Sequence, residues 1–291
     1  MSERRQFVYE QQVDHFDGLV SRDAPKEVIY RDVIEQIREK NLSVVADIGC
    51  GSGRFVEMLC SSRPEIQVIY GDYSLSQVRN TRRKLDAIGD RPTTGFQLDI
   101  TQGIPLGDGS VDALTLNFVV SEISDFESVL RESHRVLRDD GVLVVSMTSP
   151  LSDYITASLR LDKIPSFDLD LRFNSVEGEQ LVEYHLGSVD HVVVPHYYRS
   201  YTTLVDNLHE SGFRFTHYDA VRYYHVTGDM VIPLPEYLVL SATKGKRSTL
   251  SYWCRQLGYY LSEEMDKETI VIDTFQPEGF VDTVMRHRRV V

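Results

Sequence analysis

The chain has 291 residues, 42% hydrophobic and 26% charged, which is the balance of a water-soluble globular fold with a substantial core. Its 31 Lys+Arg stand against 44 Asp+Glu, and a net charge of −13 disfavours extended contact with nucleic-acid backbones. Cys50, Cys60 and Cys254 show no paired spacing, which supports neither a disulfide framework nor a zinc site and suits a reducing cytoplasm.

Two helical patterns open the chain. In the first, Phe7, Val8, Val13, Phe16, Leu19 and Val20 recur at roughly helical spacing. The stretch MSERRQFVYE is charged and lacks the apolar core of a signal peptide. No apolar run approaches the roughly 20 residues that span a bilayer, so no membrane partner is expected. The second helix follows Asp23 and Pro25, with Val28, Ile29, Val33, Ile34 and Ile37 on one face.

Strand and helix then alternate. LSVVADI (42–48) is a short apolar run that stops at a glycine turn, as a buried strand does. RFVEMLC opens a helix, and QVIYG (67–71) is a second strand. Ser74 caps a helix bearing Leu75, Val78 and Leu85 that stops near Gly89. TGFQLDI (94–100) is a third strand and VDALTLNFVV (111–120) contains a fourth. SVLRESHRVLRDDG buries Val129, Leu130, Val136, Leu137 and either Ser133 or His134, and closes at Gly141 before the strand VLVVSM (142–147).

This order implies parallel crossovers in an α/β fold, a doubly wound and mostly parallel sheet with helices on both faces. Two short strands, EQLVEYHL and DHVVVPHYY, follow in a region rich in Asp, Tyr and Ser. A helix at SYTTLVDNLHESGF and strands at FRFTHYDAVRYY and EYLVLSAT complete the pattern. The expected organisation is a helical cap at 1–41, a ligand-binding core at 42–147, an insertion at 148–195, the rest of the sheet at 196–244 and an extension at 245–291. That last segment contains LSYWCRQLGYYLSEEM, a candidate homodimer contact.

The stretch VVADIGCGSGRF carries the chemistry. Asp47 ends the first strand, and Gly49, Gly51 and Gly53 make the turn into the helix. Glycines there let a ligand lie against the backbone beyond the strand ends. A dinucleotide fingerprint needs G-x-G-x-x-G, but here the third glycine falls one residue early and Arg54 takes its place. An acid at Asp47 repels a diphosphate and attracts a cation, so a positively charged nucleoside fits better than NAD. Two more strands end in acids, at Gly71-Asp72-Tyr73-Ser74 and at Gln97-Leu98-Asp99-Ile100. Asp72 is placed for a ribose diol. Asp72 and Asp99 also suit helix N-caps, but three acids at consecutive strand ends share one rim of the sheet.

ADIGCGSGRF resembles the first motif of the class I S-adenosylmethionine-dependent methyltransferases. SVDALTLNFVVSEI, RESHRVLRDDGVLVVS and HYYRSYTTLVDNLHESGF are similar to later segments of the small-molecule members, the first two strongly and the third more weakly. The resemblance implies a seven-stranded sheet, a substrate-side lid at 148–195 and S-adenosylmethionine as cofactor. It implies that Asp47, Gly49, Cys50, Gly51 and Gly53 hold that cofactor with Asp72, Tyr73 and Asn117. Asp99 would meet the adenine amino group and Ile100 would pack on the ring, with Tyr9 in a helical cap over it. This cap resembles the Y-D-x-x-A-x-x-Y-D helix and carries His15 and Phe16 as well.

Two positions depart from the family. Ser121-Glu122 stands where many relatives carry histidines, and Asp140 replaces the first glycine of a helix-to-strand turn. Glu122, at the ligand rim, is a pocket acid or a salt-bridge partner. His196, Tyr197 and Tyr198 precede the substrate-side helix. Glu122, His196 and Tyr198 are the candidate catalytic residues, since a nucleophile that loses a proton needs an acceptor for it. Six histidines lie between His185 and His225 without metal-ligand spacing, so no metal is expected. The expected function is methyl transfer to a small molecule at O, N or C. The alternatives are an RNA or protein substrate, supported by the basic Arg286–Arg289 cluster, and non-catalytic donor binding.

Overall fold

The computed structural model describes residues 24–149, 169–170, 175–176, 178–186, 189–199, 201–227 and 230–245. The helix expected over 7–20, with Tyr9, His15 and Phe16, lies outside the described residues, as do the Arg286–Arg289 cluster and the candidate dimer contact.

Helix α1 spans Ala24–Glu39. Ile29, Val33 and Ile37, one turn apart, are fully buried. Val28 is 49% exposed and is not on the buried face, contrary to the sequence pattern. The stripe that docks is centred on positions 29, 33 and 37, with Tyr30 on the side away from Val28. α1 meets the sheet where its Gln36 Oε1 accepts a hydrogen bond of 2.6 Å from Ser241 Oγ.

Strand β1 (Val44–Ile48) pairs in parallel with β2 (Gln67–Asp72) on one side and β4 (Val111–Asn117) on the other. β2 pairs in parallel with β3 (Thr93–Gln97), and β4 with β5 (Leu137–Thr148). Helices α2 (Arg54–Ser62), α3 (Leu75–Ala87) and α4 (Phe126–Val136) make the crossovers. Alternate residues of β1 enter two separate cores. Val45 packs with α1, α2 and α3 residues such as Val33, Val56 and Val78. Ala46 and Ile48 pack with α4 residues such as Val129 and Leu130. A strand covered on both faces has no polar side, so the inner strands read as continuous apolar runs.

β6 (Leu169–Asp170) and β7 (Ser175–Val176) form one small hairpin. β8 (Gly178–Leu186) and β9 (Val189–Tyr198) form another, separate from the main sheet. β9 runs through the boundary expected at 195/196. Helix α5 (Tyr201–Glu210) leads into β10 (Phe213–Thr227) and β11 (Met230–Lys244). The seven-stranded order is β10-β11-β5-β4-β1-β2-β3, with β11 antiparallel to both neighbours. The expected α/β architecture, a mostly parallel seven-stranded sheet with helices on both faces, is therefore observed.

One helix ends earlier than its pattern. α4 stops at Val136, and β5 begins at Leu137 rather than Val142. Leu137 is buried in either conformation, so periodicity alone does not separate them. Ser133, not His134, is the deeply buried alternative, with its hydroxyl on the Val129 carbonyl at 2.7 Å. Asp140 takes a φ of 61°, the left-handed conformation that glycine adopts most easily at such a turn.

Strand order reverses between β1 and β4, and this switch point opens a crevice at their carboxyl ends. Gly53 closes the loop on its inner side. Its φ is 79°, and a Cβ there would clash with the Thr81 side chain of α3. Gly53→Ala is expected to cost about 1–3 kcal/mol of stability, measured by denaturant unfolding, because strain and a packed contact add.

Candidate active site

Asp47 sits at the fourth position of β1 and is 1% exposed. From β4, Thr115 Oγ1 donates to its Oδ1 at 2.6 Å and Asn117 Nδ2 at 3.0 Å. Ser146 Oγ of β5 donates to Asn117 Oδ1 at 2.9 Å, which fixes the amide's orientation. Both donors serve Oδ1, and the buried Oδ2 has no hydrogen-bond partner among the described residues. Burial pushes the carboxyl up to about 7; the bonds from Thr115 and Asn117 oppose this and the nearby charge of Asp72 adds to it.

The glycine loop is stitched to the end of β2. The N–H groups of Gly49 and Cys50 donate to the Gly71 carbonyl at 2.8 and 3.0 Å. Gly51 N–H donates to Asp72 Oδ2 at 2.8 Å, and Ser74 N–H to Oδ1 at 2.9 Å. Asp72 is thus held by two backbone donors before any ligand arrives. Gly51 has a φ of 50°, and open space lies where its Cβ would point. A ligand can therefore approach the backbone there. Burial raises the Cys50 thiol well above its ordinary value, so it serves as a small packed group and not as a thiolate.

Asp47, Gly49, Cys50, Gly51 and Asp72 line one crevice of about 1020 Å³, part of it open solvent, whereas Gly53 does not line it. Tyr73, Ile100, Asn117 and Glu122 also line it. Asp99 does not line it: its carboxylate accepts from Thr101 N–H at 3.0 Å and Thr101 Oγ1 at 2.6 Å, capping the turn Ile100–Gln102. Its neighbours Leu98 and Ile100 face the crevice instead. The strand expected to reach Ile100 ends at Gln97, and the cap occupies the difference.

Glu122 ends the short 3₁₀ turn Val120–Glu122 that leaves β4. Its Oε1 lies 3.0 Å from His196 Nε2 of β9, and the two side chains are only 11% and 10% exposed. The pair unites two candidate catalytic residues at one wall of the crevice, although only Glu122 lines it. Tyr198 is buried, with its ring 6.1 Å from that of His196, and does not line the crevice.

Lys26, Tyr30 and Phe118 also line the crevice. Lys26 Nζ lies 5.0 Å from the Phe118 ring centre and 5.9 Å from that of Tyr237. The sequence pattern gave no sign of this, because α1 reads as a core helix and Phe118 as a strand residue. Phe118 instead takes a φ of 57° and leaves the strand. Arg54 also lines the crevice, but its guanidinium is paired with Glu27 of α1 and, at 3.2 Å, with Glu57. Among the described residues no group of His, Cys, Asp or Glu could hold a metal ion. No helix there is long and apolar enough to cross a membrane.

The methyltransferase-domain family matches residues 46–145, which hold the glycine loop, the end of β1 and all of β2, β3 and β4. A ubiquinone/menaquinone biosynthesis C-methyltransferase of Geotalea uraniireducens is 27% identical over 116 residues, 40% of this chain and 49% of that protein. A trans-aconitate 2-methyltransferase of an Azoarcus species is 28% identical over 117 residues, 40% of this chain and 44% of that one. The chain thus spans about half the length of the curated relatives it matches. Among solved structures, a SAM-dependent methyltransferase of Thermotoga maritima shares the fold with a TM-score of 0.52 and 17% identity, covering 82% of this chain and 99% of that one.

Proposed function

We propose, for a chain whose residues 46–145 match the methyltransferase-domain family, the transfer of a methyl group from S-adenosylmethionine to a small molecule. The observation that carries this is Asp47. A buried carboxylate oxygen without a partner among the described residues, in the wall of a crevice, calls for a cationic ligand. The backbone opening at Gly51 and the fixed carboxylate of Asp72 suit the nucleoside part of the same ligand. The crevice therefore fits the donor better than a dinucleotide, whose diphosphate would face Asp47.

Asp47 would accept from the donor's ammonium and Asp72 from its ribose hydroxyls, while Leu98 and Ile100 flank its base. The donor, when bound, supplies an activated methyl group that leaves a neutral thioether behind. The protein's own contribution is to align an acceptor, exclude water and receive a proton. Glu122 reaches the crevice and is backed by His196, so the pair is the proposed proton acceptor. Tyr198 packs behind it. The named relatives are a C-methyltransferase of ubiquinone/menaquinone biosynthesis and a trans-aconitate 2-methyltransferase, which supports a small-molecule acceptor. The net charge of −13 argues against RNA. Unbridged, buried Cys50 and Cys60 support a cytoplasmic place of work.

The test incubates methyl-labelled S-adenosylmethionine with the protein and a cell extract split into small-molecule, RNA and protein fractions. Label is expected in the small-molecule fraction, where mass identifies the acceptor. Label in RNA or protein would overturn the substrate class. Donor binding with label in no fraction would point to a non-catalytic donor-binding protein.

Asp72→Ala serves as the control. It removes an acceptor for ribose hydroxyls and frees Gly51 N–H from its partner. Donor affinity is expected to fall about tenfold or more by calorimetry, since hydrogen bonds to charged groups contribute about 1.5–3 kcal/mol.

A further inference from the structure

The cation of Arg199 faces inward. Its Nη1 donates to the carbonyls of Val120 and Tyr197, each at 3.1 Å. Its Nη2 donates to those of Ile123 at 2.6 Å and Ser124 at 2.9 Å. The guanidinium also lies 5.2 Å from the centre of the Phe126 ring. Three of the carbonyls belong to the turn Val120–Glu122 and the two residues leaving it. Such a short turn leaves carbonyls at its end for partners outside it, although that of Val120 also accepts from Ile123 N–H at 3.2 Å. The fourth belongs to β9, next to His196.

This geometry matters because the Glu122–His196 contact joins two separately built pieces. Glu122 hangs from the main sheet through β4, while β9 pairs with β8 in a sheet of its own. Nothing in the pairing of either sheet sets the distance between them.

We propose that Arg199 is a positioning residue: by bridging the turn carbonyls to that of Tyr197, it holds Glu122 Oε1 within hydrogen-bond reach of His196 Nε2. This rests on the acid–base reading of that pair. The chemistry requires arginine. Its planar fork carries five N–H donors and can serve four carbonyls at once, whereas a lysine ammonium is compact and has three. Loss of the bridge lets the two pieces drift, and catalytic groups lose efficiency steeply with displacement. Arg135 offers an internal comparison, since it donates to the carbonyls of Leu106 and Ile104 far from the pair.

The test follows the ring N–H of His196 by NMR in the full chain, assigned by its disappearance in His196→Gln. The wild type is expected to show a ring proton protected from solvent exchange. In Arg199→Lys that exchange is expected to become about tenfold faster or more, as for a locally opened contact. Affinity for S-adenosylmethionine is expected to change by less than about twofold, because the carbonyls that Arg199 holds, those of Val120, Ile123, Ser124 and Tyr197, belong to residues that do not line the crevice. Arg135→Lys is expected to leave the ring signal alone.

Unchanged exchange in Arg199→Lys overturns the proposal while leaving the pair intact. So does an equal effect from Arg135→Lys, which would mean general loosening. A wild type without a protected ring proton overturns the acid–base pair itself, and the proposal with it. If Arg199→Lys does not fold, Arg199→Gln, whose neutral amide still donates twice, is read by the same outcomes.

Discussion

Replacing Asp47 by Asn is expected to stabilise the ligand-free protein at neutral and alkaline pH and to weaken donor binding about tenfold or more. Both effects have one cause. The Asp47 carboxyl is pushed up from 3.8 to about 7 in the folded chain, first by burial. A folded value above the unfolded one means that the folded state favours the protonated form. The carboxyl's contribution to stability is therefore complete below about pH 4 and is lost as pH rises through about 7. An Asn has no charge to bury. Its Oδ1 can still accept from Thr115 and Asn117, and its amide nitrogen replaces the unpartnered Oδ2. The variant's stability advantage should grow between about pH 4 and about pH 7, then level off, reaching on the order of a few kcal/mol.

Donor binding reverses the sign of the benefit. A cation beside Oδ2 favours the ionised carboxylate, so wild-type affinity should rise with pH up to about 7 and then flatten. The Asn variant should show no such rise from this group, since an amide N–H cannot accept from an ammonium. Thermal melts of ligand-free protein and calorimetric titrations across that range measure the two effects independently. Unchanged donor affinity in Asp47→Asn would mean that the cation lies elsewhere.

The parts of this molecule that sequence exposes are those whose cause is local. Val44–Ile48 reads as a strand because it is buried on both faces, and the loop from Gly49 to Gly53 reads as a ligand turn because its glycines are spaced for one. Asp99 shows the limit of that logic. An acid after a strand is equally suited to a ligand and to the cap of the next turn, and the difference depends on where Thr101 points. Val28 departs from its pattern because an apolar residue beside a buried stripe looks the same whether or not it docks, and the end of α4 does so because Leu137 is buried as helix or as strand.

The Glu122–His196 contact depends on something different. Each residue is identifiable as a candidate from its position after a strand or before a helix. Their meeting depends on how the β8–β9 hairpin sits against the turn after β4, and no local pattern encodes that. Lys26 and Phe118 were missed for the same reason. They reach the crevice through the docking of α1 and the left-handed turn at Phe118, both of which are products of packing.

Glu122→Gln is expected to reduce label transfer into the small-molecule fraction by about a hundredfold to ten-thousandfold, the range for a positioned general base. Donor affinity should change by less than about twofold, because Glu122 acts on the acceptor's side of the crevice. The substitution is chosen for what it retains: size, burial and the capacity to hydrogen-bond His196. An acid that merely anchored the β8–β9 hairpin would tolerate it, and transfer would survive. An acid that must take up a proton would not, because a neutral amide has no basic oxygen to offer. His196→Gln separates the two members of the pair. If they work as one unit, Glu122→Gln and His196→Gln should each lose nearly as much transfer as the double variant. Losses that instead multiply would give Glu122 and His196 separate tasks. Full transfer in Glu122→Gln would remove the pair from the chemistry and leave the crevice with positioning alone.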